Sequence, residues 1–249
     1  MIKKQKKLIS ILIVGLVWVF VGCSKPSIHE KLSKDDQTLS YISEREKNFN
    51  NADYLDLKTE DEALEIVKDK YKLSIPKSYE QFKEVLTRTF DSEGVEAGES
   101  KYSVFSKDGE LEFRTIYPFY EKEKLRFITR VSLIYEFLGQ TKQVRLKRQE
   151  VNVVSAIGND PFLQKKLYPL TQDIAGIMKL PEGLTKDGIA GYEKQIKELQ
   201  DPIRNDSVAI VTNTVGINEN EELAKSISAI YNNLGEFKEV NAEISDNTK

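Results

Sequence analysis

One cysteine and one histidine occur in 249 residues. A lone cysteine cannot close a disulfide within the chain, and zinc sites of the Cys/His type need three or four such ligands. His29 sits in a polar stretch near the N-terminus, so a Ser-His-Asp or Cys-His arrangement would lack a well-placed base. Neither a Walker loop nor a GxGxxG is present. There is no basic excess either: Lys and Arg number 37 against 40 Asp and Glu, net −3, which argues against nucleic-acid binding. The longest apolar run, Leu8 to Gly22, falls below the roughly 20 residues a transmembrane helix needs. What is present is 39% hydrophobic and 31% charged, polar overall but with enough Phe, Tyr, Leu, Ile and Val for a core.

The apolar run follows Lys3, Lys4, Lys6 and Lys7 and ends at Gly22 before Cys23. A basic head, a short apolar segment and a small residue make up the layout of a secretory signal peptide. Phe20-Val21-Gly22-Cys23 resembles the lipobox of bacterial lipoproteins, with Phe20 where that family prefers Leu. The resemblance covers residues 1–23 only. It implies cleavage before Cys23 and a diacylglycerol, with palmitate-type acyl chains, on its sulfur. It places the remaining chain on the outer, extracytoplasmic face of the cell membrane, held by the lipid bilayer. The Lys-, Ile- and Asn-rich composition suits a Gram-positive source. No cofactor is expected beyond that lipid.

Loss of residues 1–22 leaves 33 basic and 40 acidic residues, net −7. The domain reading is then a signal peptide over 1–22, a lipidated Cys23 with a flexible tether over 23–37, one folded domain over 38–235 and a polar tail over 236–249.

Within the domain, helices are expected near 36–50, after a Thr59/Glu62 capping box and after Ser78/Gln81. Asp91 to Ser100 reads as an acidic loop without EF-hand spacing. Asp108-Gly109 between alternating runs signals a hairpin. Leu125 to Phe137 alternates without a break, and Gln143 to about Ala156 forms the next strand, with a phase change that calls for a bulge near Lys147 to Glu150. Helices follow at Pro161, with Pro169 expected to limit the first, at 189–199, and at 218–234, where Leu223, Ile227, Ile230, Tyr231 and Leu234 make a stripe. Val208–Val211 reads as a short strand. The expected fold is α+β: a central antiparallel β-meander of about four strands, with helices before and after it in sequence.

Charge is unevenly distributed. Lys122 to Arg148 holds eight basic residues and two acids, so it carries +6 inside a mature chain of −7. Strand alternation puts Arg114, Arg126, Arg130, Arg145 and Lys147 on the outer sheet face beside Ile116, Ile128 and Ile134. Arg with exposed aliphatics is an interface-like composition. The expected function is a non-catalytic binding module for an acidic protein or an anionic cell-envelope polymer, for instance an immunity or neutralising lipoprotein, by analogy of size and location. The alternative is an envelope hydrolase using carboxylates, which requires acids converging in a concave pocket with raised pKa values.

Overall fold

A computed structural model describes residues 32–92, 94–218 and 221–247. Residues 1–31, among them the segment read as a signal peptide, Cys23 and His29, lie outside the described residues.

The chain runs α1 (Lys34–Gln37), β1 (Ile42–Glu44), β2 (Ala52–Leu57), α2 (Glu60–Glu65, continued by a π-helical turn over Ile66–Lys70) and α3 (Lys77–Phe90). Then come β3 (Glu96–Ala97), β4 (Lys101–Lys107), β5 (Glu110–Glu121), β6 (Lys124–Leu138) and β7 (Gln143–Ser155). The last third is α4 (Pro161–Ile177), α5 (Glu182–Glu198), β8 (Asp206–Asn218), β9 (Glu221–Tyr231) and β10 (Phe237–Asp246). The fold is α+β. Its sheet, however, has ten strands rather than about four, in the order β2-β4-β5-β6-β7-β10-β9-β8, with β1 added to β7 and β3 to β5.

The central meander follows local chemistry. Thr59 Oγ1 accepts from the Glu62 amide while the Glu62 carboxylate accepts from the Thr59 amide, a complete capping box. Asp108 and Gly109 both take positive φ, 53° and 92°, as a two-residue hairpin turn requires. The bulge falls where expected: Ile134 pairs with Arg148 and Tyr135 with Leu146, leaving Lys147 as the extra residue. The helix at Pro161 does not stop at Pro169 but runs on to Ile177. Pro169 is exposed, so its missing N–H frees a carbonyl toward solvent.

The C-terminal third departs from the sequence reading. Residues 221–231, expected in a helix, form β9, and residues 237–246, expected as a tail, form β10. β10 is not an edge: it pairs with β7 on one side and β9 on the other. Residues 32–37 are not tether. Leu32 is buried, Ser33 caps α1, and the Asp36 carboxylate lies 2.5 Å from Lys225 Nζ, both groups out of solvent.

The inner sheet face is apolar and carries the helices. Phe90 of α3 meets Phe119, Phe127 and Phe162 of α4 at ring separations of 5.0–6.0 Å, and Phe162 meets Phe127 at 5.4 Å. α5 lies so close on β8 that a Cβ on Gly188 would stand 2.3 Å from the Ile210 carbonyl oxygen. Inward residues of β5, β6, β7, β9 and β10 join the helices in one core. No helix among the described residues is long and apolar enough to cross a membrane.

The two ends of the sheet differ. Chain entering from Leu32 arrives at the end carrying the 107–110 and 138–143 turns: Ile42 pairs with Arg145, and Arg45 N–H donates to the Lys142 carbonyl. The opposite end carries the 121–124 turn, the exit of β7 toward Asp160 and the β9–β10 turn.

Candidate binding face

Among the described residues no helix lies on the outer sheet face. Alternation from the core phase puts Phe105 of β4, Glu112, Arg114 and Ile116 of β5, and Ile128, Arg130, Ser132 and Ile134 of β6 on this face. The same phase adds Arg148, Glu150 and Asn152 of β7, and Glu239, Asn241 and Glu243 of β10. Four of the five basic residues singled out from the sequence, Arg114, Arg130, Arg145 and Lys147, belong to this side of the sheet, but none of the five presents a bare charge.

Arg114 forks onto Glu112, two residues back on its own strand, with Nε and Nη2 each 2.8 Å from a carboxylate oxygen. Arg130 donates from Nε (2.9 Å) and Nη2 (2.5 Å) to Asn152 Oδ1. Asn152 in turn donates to Glu239 and Asn241 of β10. Arg145 is buried and reaches Glu136 at 2.6 Å and Asp246 at 3.4 Å. Lys147, the bulged residue, bonds Glu110 and Glu136. Arg148 pairs with Glu150 at 2.9 Å.

Arg126 is the clearest departure. It sits opposite a register shift at the far end of β6 and grips Asp160, with Nε 2.7 Å from Oδ2 and Nη2 3.1 Å from Oδ1, while Nη1 holds Glu121. Asp160 is fully buried and caps α4 by accepting from the amides of Phe162 and Leu163. Arg126 therefore fastens a helix start to the sheet.

The face expected to be basic is a lattice of paired charges. Apart from Glu136 on β6, its pairing acids come from segments that a linear window over 122–148 does not include: Glu110 and Glu112 on β5, Glu150 on β7, Glu239 and Asp246 on β10. Part of this was legible, since Glu112/Arg114 and Arg148/Glu150 are opposite charges two residues apart and so share a strand face. The β10 contribution was hidden by its reading as a tail.

One shallow concavity of about 380 Å³ lies on this face, lined by Phe105, Lys107, Asp108, Glu110, Glu112, Ile134 and Glu136. Four carboxylates line it, but Glu110, Glu112 and Glu136 are each paired with a base. Burial alone would raise the Glu136 pKa, but hydrogen bonds and charge from Arg145 and Lys147 outweigh it and hold the carboxyl below its ordinary value. A carboxylate held ionised cannot serve as a general acid. The acid whose pKa is raised, by burial against the opposing pull of Asn152 and Arg130, is Glu239, on β10 and outside this concavity. Among the described residues no three His, Cys, Asp or Glu side chains are grouped to hold a metal ion.

A second concavity, not foreseen in the sequence, opens between α4, α5 and the β9–β10 turn. It has a volume of about 320 Å³. Its walls are Tyr168, Tyr192, Tyr231, Phe237, Leu167 and Ile196, with the polar Asn159, Gln164, Glu193 and Lys197.

Searches of protein-family models, of curated proteins and of solved structures found no match to this chain.

Proposed function

We propose that the chain is a lipid-anchored, non-catalytic binding domain on the outer face of a bacterial cell membrane, and that its uncovered sheet face docks a protein. The anchor reading rests on the basic head, the apolar run and Gly22-Cys23. Two acyl chains on a cysteine hold a protein to a bilayer stably.

The observation that carries the docking reading is the composition of the outer face. Ile116, Ile128, Ile134 and Phe105 stand among charges already fixed by their neighbours, and Phe105 and Ile128 are 41% and 37% exposed. Fixed side chains lose little entropy on binding, so such a face is preorganised. Its mixed signs favour a partner surface that also carries both signs around an apolar centre. They disfavour an anionic polymer, which binds through uncompensated positive charge and screens away with salt. In the acid-lined concavity of this face Glu136 is held ionised and so cannot supply the general acid of a carboxylate hydrolase.

The test is site-resolved crosslinking on cells expressing the full chain. A photoreactive residue replacing Ile128 should capture a discrete protein, and one replacing Leu184, exposed on the helical side, should not. The same products from both positions, or none from either, would contradict the reading.

A further inference from the structure

The two ends of the sheet stand in different relation to the anchor. Cys23 precedes Leu32 by nine residues, and even a fully extended chain of that length spans only about 30 Å. β6 alone has 15 residues, about 50 Å of strand. Asp36 and Leu39 lie against Lys225 and Gln149, level with Leu133, five residues from the Leu138 end of β6 and nine from the Lys124 end, so the Leu138 end is the one nearer the lipid. The groove between α4, α5 and the β9–β10 turn belongs to the other end, because Asn159 follows β7, Tyr231 ends β9 and Phe237 begins β10.

The groove is built from fixed parts. The Tyr192 and Tyr231 hydroxyls are 2.7 Å apart in the buried floor. The Tyr231 and Phe237 rings meet at 6.0 Å and 53°. Asn159, at φ 49°, exchanges two bonds with Phe237: its side-chain oxygen accepts from the Phe237 amide at 2.9 Å, and its own amide donates to the Phe237 carbonyl at 2.8 Å. The mouth is formed by Gln164 and Tyr168 of α4, one turn apart, facing Glu193 and Lys197 of α5.

The lining selects a chemistry. Glu193 and Lys197 lie 3.8 Å apart and compensate each other, so the groove offers an ionic ligand no uncompensated charge. Tyrosine hydroxyls both donate and accept, and a glutamine amide supplies one of each. Sugar hydroxyls have the same dual character, and the C–H face of a sugar ring matches an aromatic wall. A volume of about 320 Å³ is at the lower end for small-molecule sites, which suits one or two sugar units rather than a long chain buried whole. We infer that this groove is a binding site for a neutral saccharide, presented at the end of the domain away from the membrane. The inference rests on the anchor reading for its orientation and not on the docking role of the outer sheet face.

The experiment uses the full chain in detergent micelles and titrates four probes by calorimetry and saturation-transfer NMR. These are maltose, the β-1,4-linked N-acetylglucosamine disaccharide, glucose 6-phosphate and alanyl-alanine. One neutral disaccharide should bind saturably in the micromolar to low millimolar range, and glucose 6-phosphate at least tenfold more weakly. Tyr168→Ala and Gln164→Ala, both at the solvent-facing mouth, should weaken that binding at least tenfold with the melting temperature unchanged. Lys101→Glu, at an exposed position on β4, should leave it untouched. No saturable binding of either neutral disaccharide at 20 mM would overturn the inference. So would tighter binding of the phosphate or the dipeptide, or binding that survives Tyr168→Ala. None of these outcomes affects crosslinking from position 128, so the two readings fail separately.

Discussion

A buried lysine is the least expected residue in this chain. Lys225 lies on the inner phase of β9 between Leu223 and Ile227, in the apolar core, and Asp36 is its counter-ion from the start of the domain. Removing one partner of such a pair leaves an uncompensated buried charge, at a cost of about 3–5 kcal/mol. Asp36→Ala should therefore lower the melting temperature by roughly 10 °C in a domain of this size. The double variant Asp36→Leu/Lys225→Met should restore it to within about 3 °C of wild type, because a well-packed apolar replacement of a buried pair is often neutral or better. Differential scanning calorimetry of the three proteins reads this directly. Glu239 gives a second residue-scale expectation, with a definite sign. Its folded pKa lies above its unfolded value, so its protonation favours the fold below the unfolded pKa and that advantage is lost as pH rises through the folded pKa. At pH 7 the buried charge is a cost. Glu239→Gln keeps an acceptor for the Asn152 amide, so it should raise the melting temperature at pH 7 by roughly 1–2 °C, with the gain shrinking toward pH 4. Glu136 has the opposite sign: its low pKa adds stability above the unfolded pKa, lost as pH falls through the folded value. Melting curves taken from pH 4 to 8 separate the two.

At the scale of elements, the meander was legible because its side chains obey the period of their strands. Leu125, Phe127, Val131, Leu133 and Tyr135 alternate with polar or β-branched residues, and Asp108-Gly109 leaves one turn choice. β9 was not legible for two reasons. Its inner positions read Leu223, Lys225, Ile227, Ala229 and Tyr231, so a lysine and an alanine interrupt the apolar alternation. Its outer Ile230 then completes a helical spacing with Leu223 and Ile227. The lysine's counter-ion among the described residues is Asp36, 189 residues earlier, and no local window contains that partner. β10 fails similarly: Val240, Ala242 and Ile244 alternate, but a register shift between Phe237 and Glu239 breaks the phase at its start, and Lys238, Glu239 and Glu243 give it a tail's composition. The two readings of residues 237–246 predict different things. A tail is dispensable, whereas a strand between β7 and β9 is not. Truncation after Glu236 should abolish the cooperative melt and the native far-UV dichroism. A truncated protein that melts like the full chain would show that β10 is not integral.

At the scale of the molecule, a ten-stranded sheet with helices on one side leaves its other face to be explained. Strands central in sequence are basic, and strands flanking them are acidic. Folding interleaves them, so the +6 of residues 122–148 becomes a set of local pairs rather than a field. The site residues read from the sequence were therefore correctly assigned to a side of the sheet, except for Arg126, which serves the helix start at Asp160. They were misread in charge, because cross-strand partners are set by topology. The tyrosine-lined groove was invisible for a related reason: its walls come from α4, α5 and the β9–β10 turn, which only the fold brings together.

The orientation of the domain and the cellular side of both proposed sites depend on where the chain is held. The most direct measurement is mass spectrometry of the N-terminal peptide from protein recovered in the membrane fraction of a Gram-positive host. The prediction is a chain beginning at Cys23 with a diacylglyceryl thioether on its sulfur, and a Cys23→Ala variant lacking that modification. A chain beginning at Met1 with a free Cys23 thiol would contradict the lipid anchor and remove the orientation on which the outward-facing groove depends.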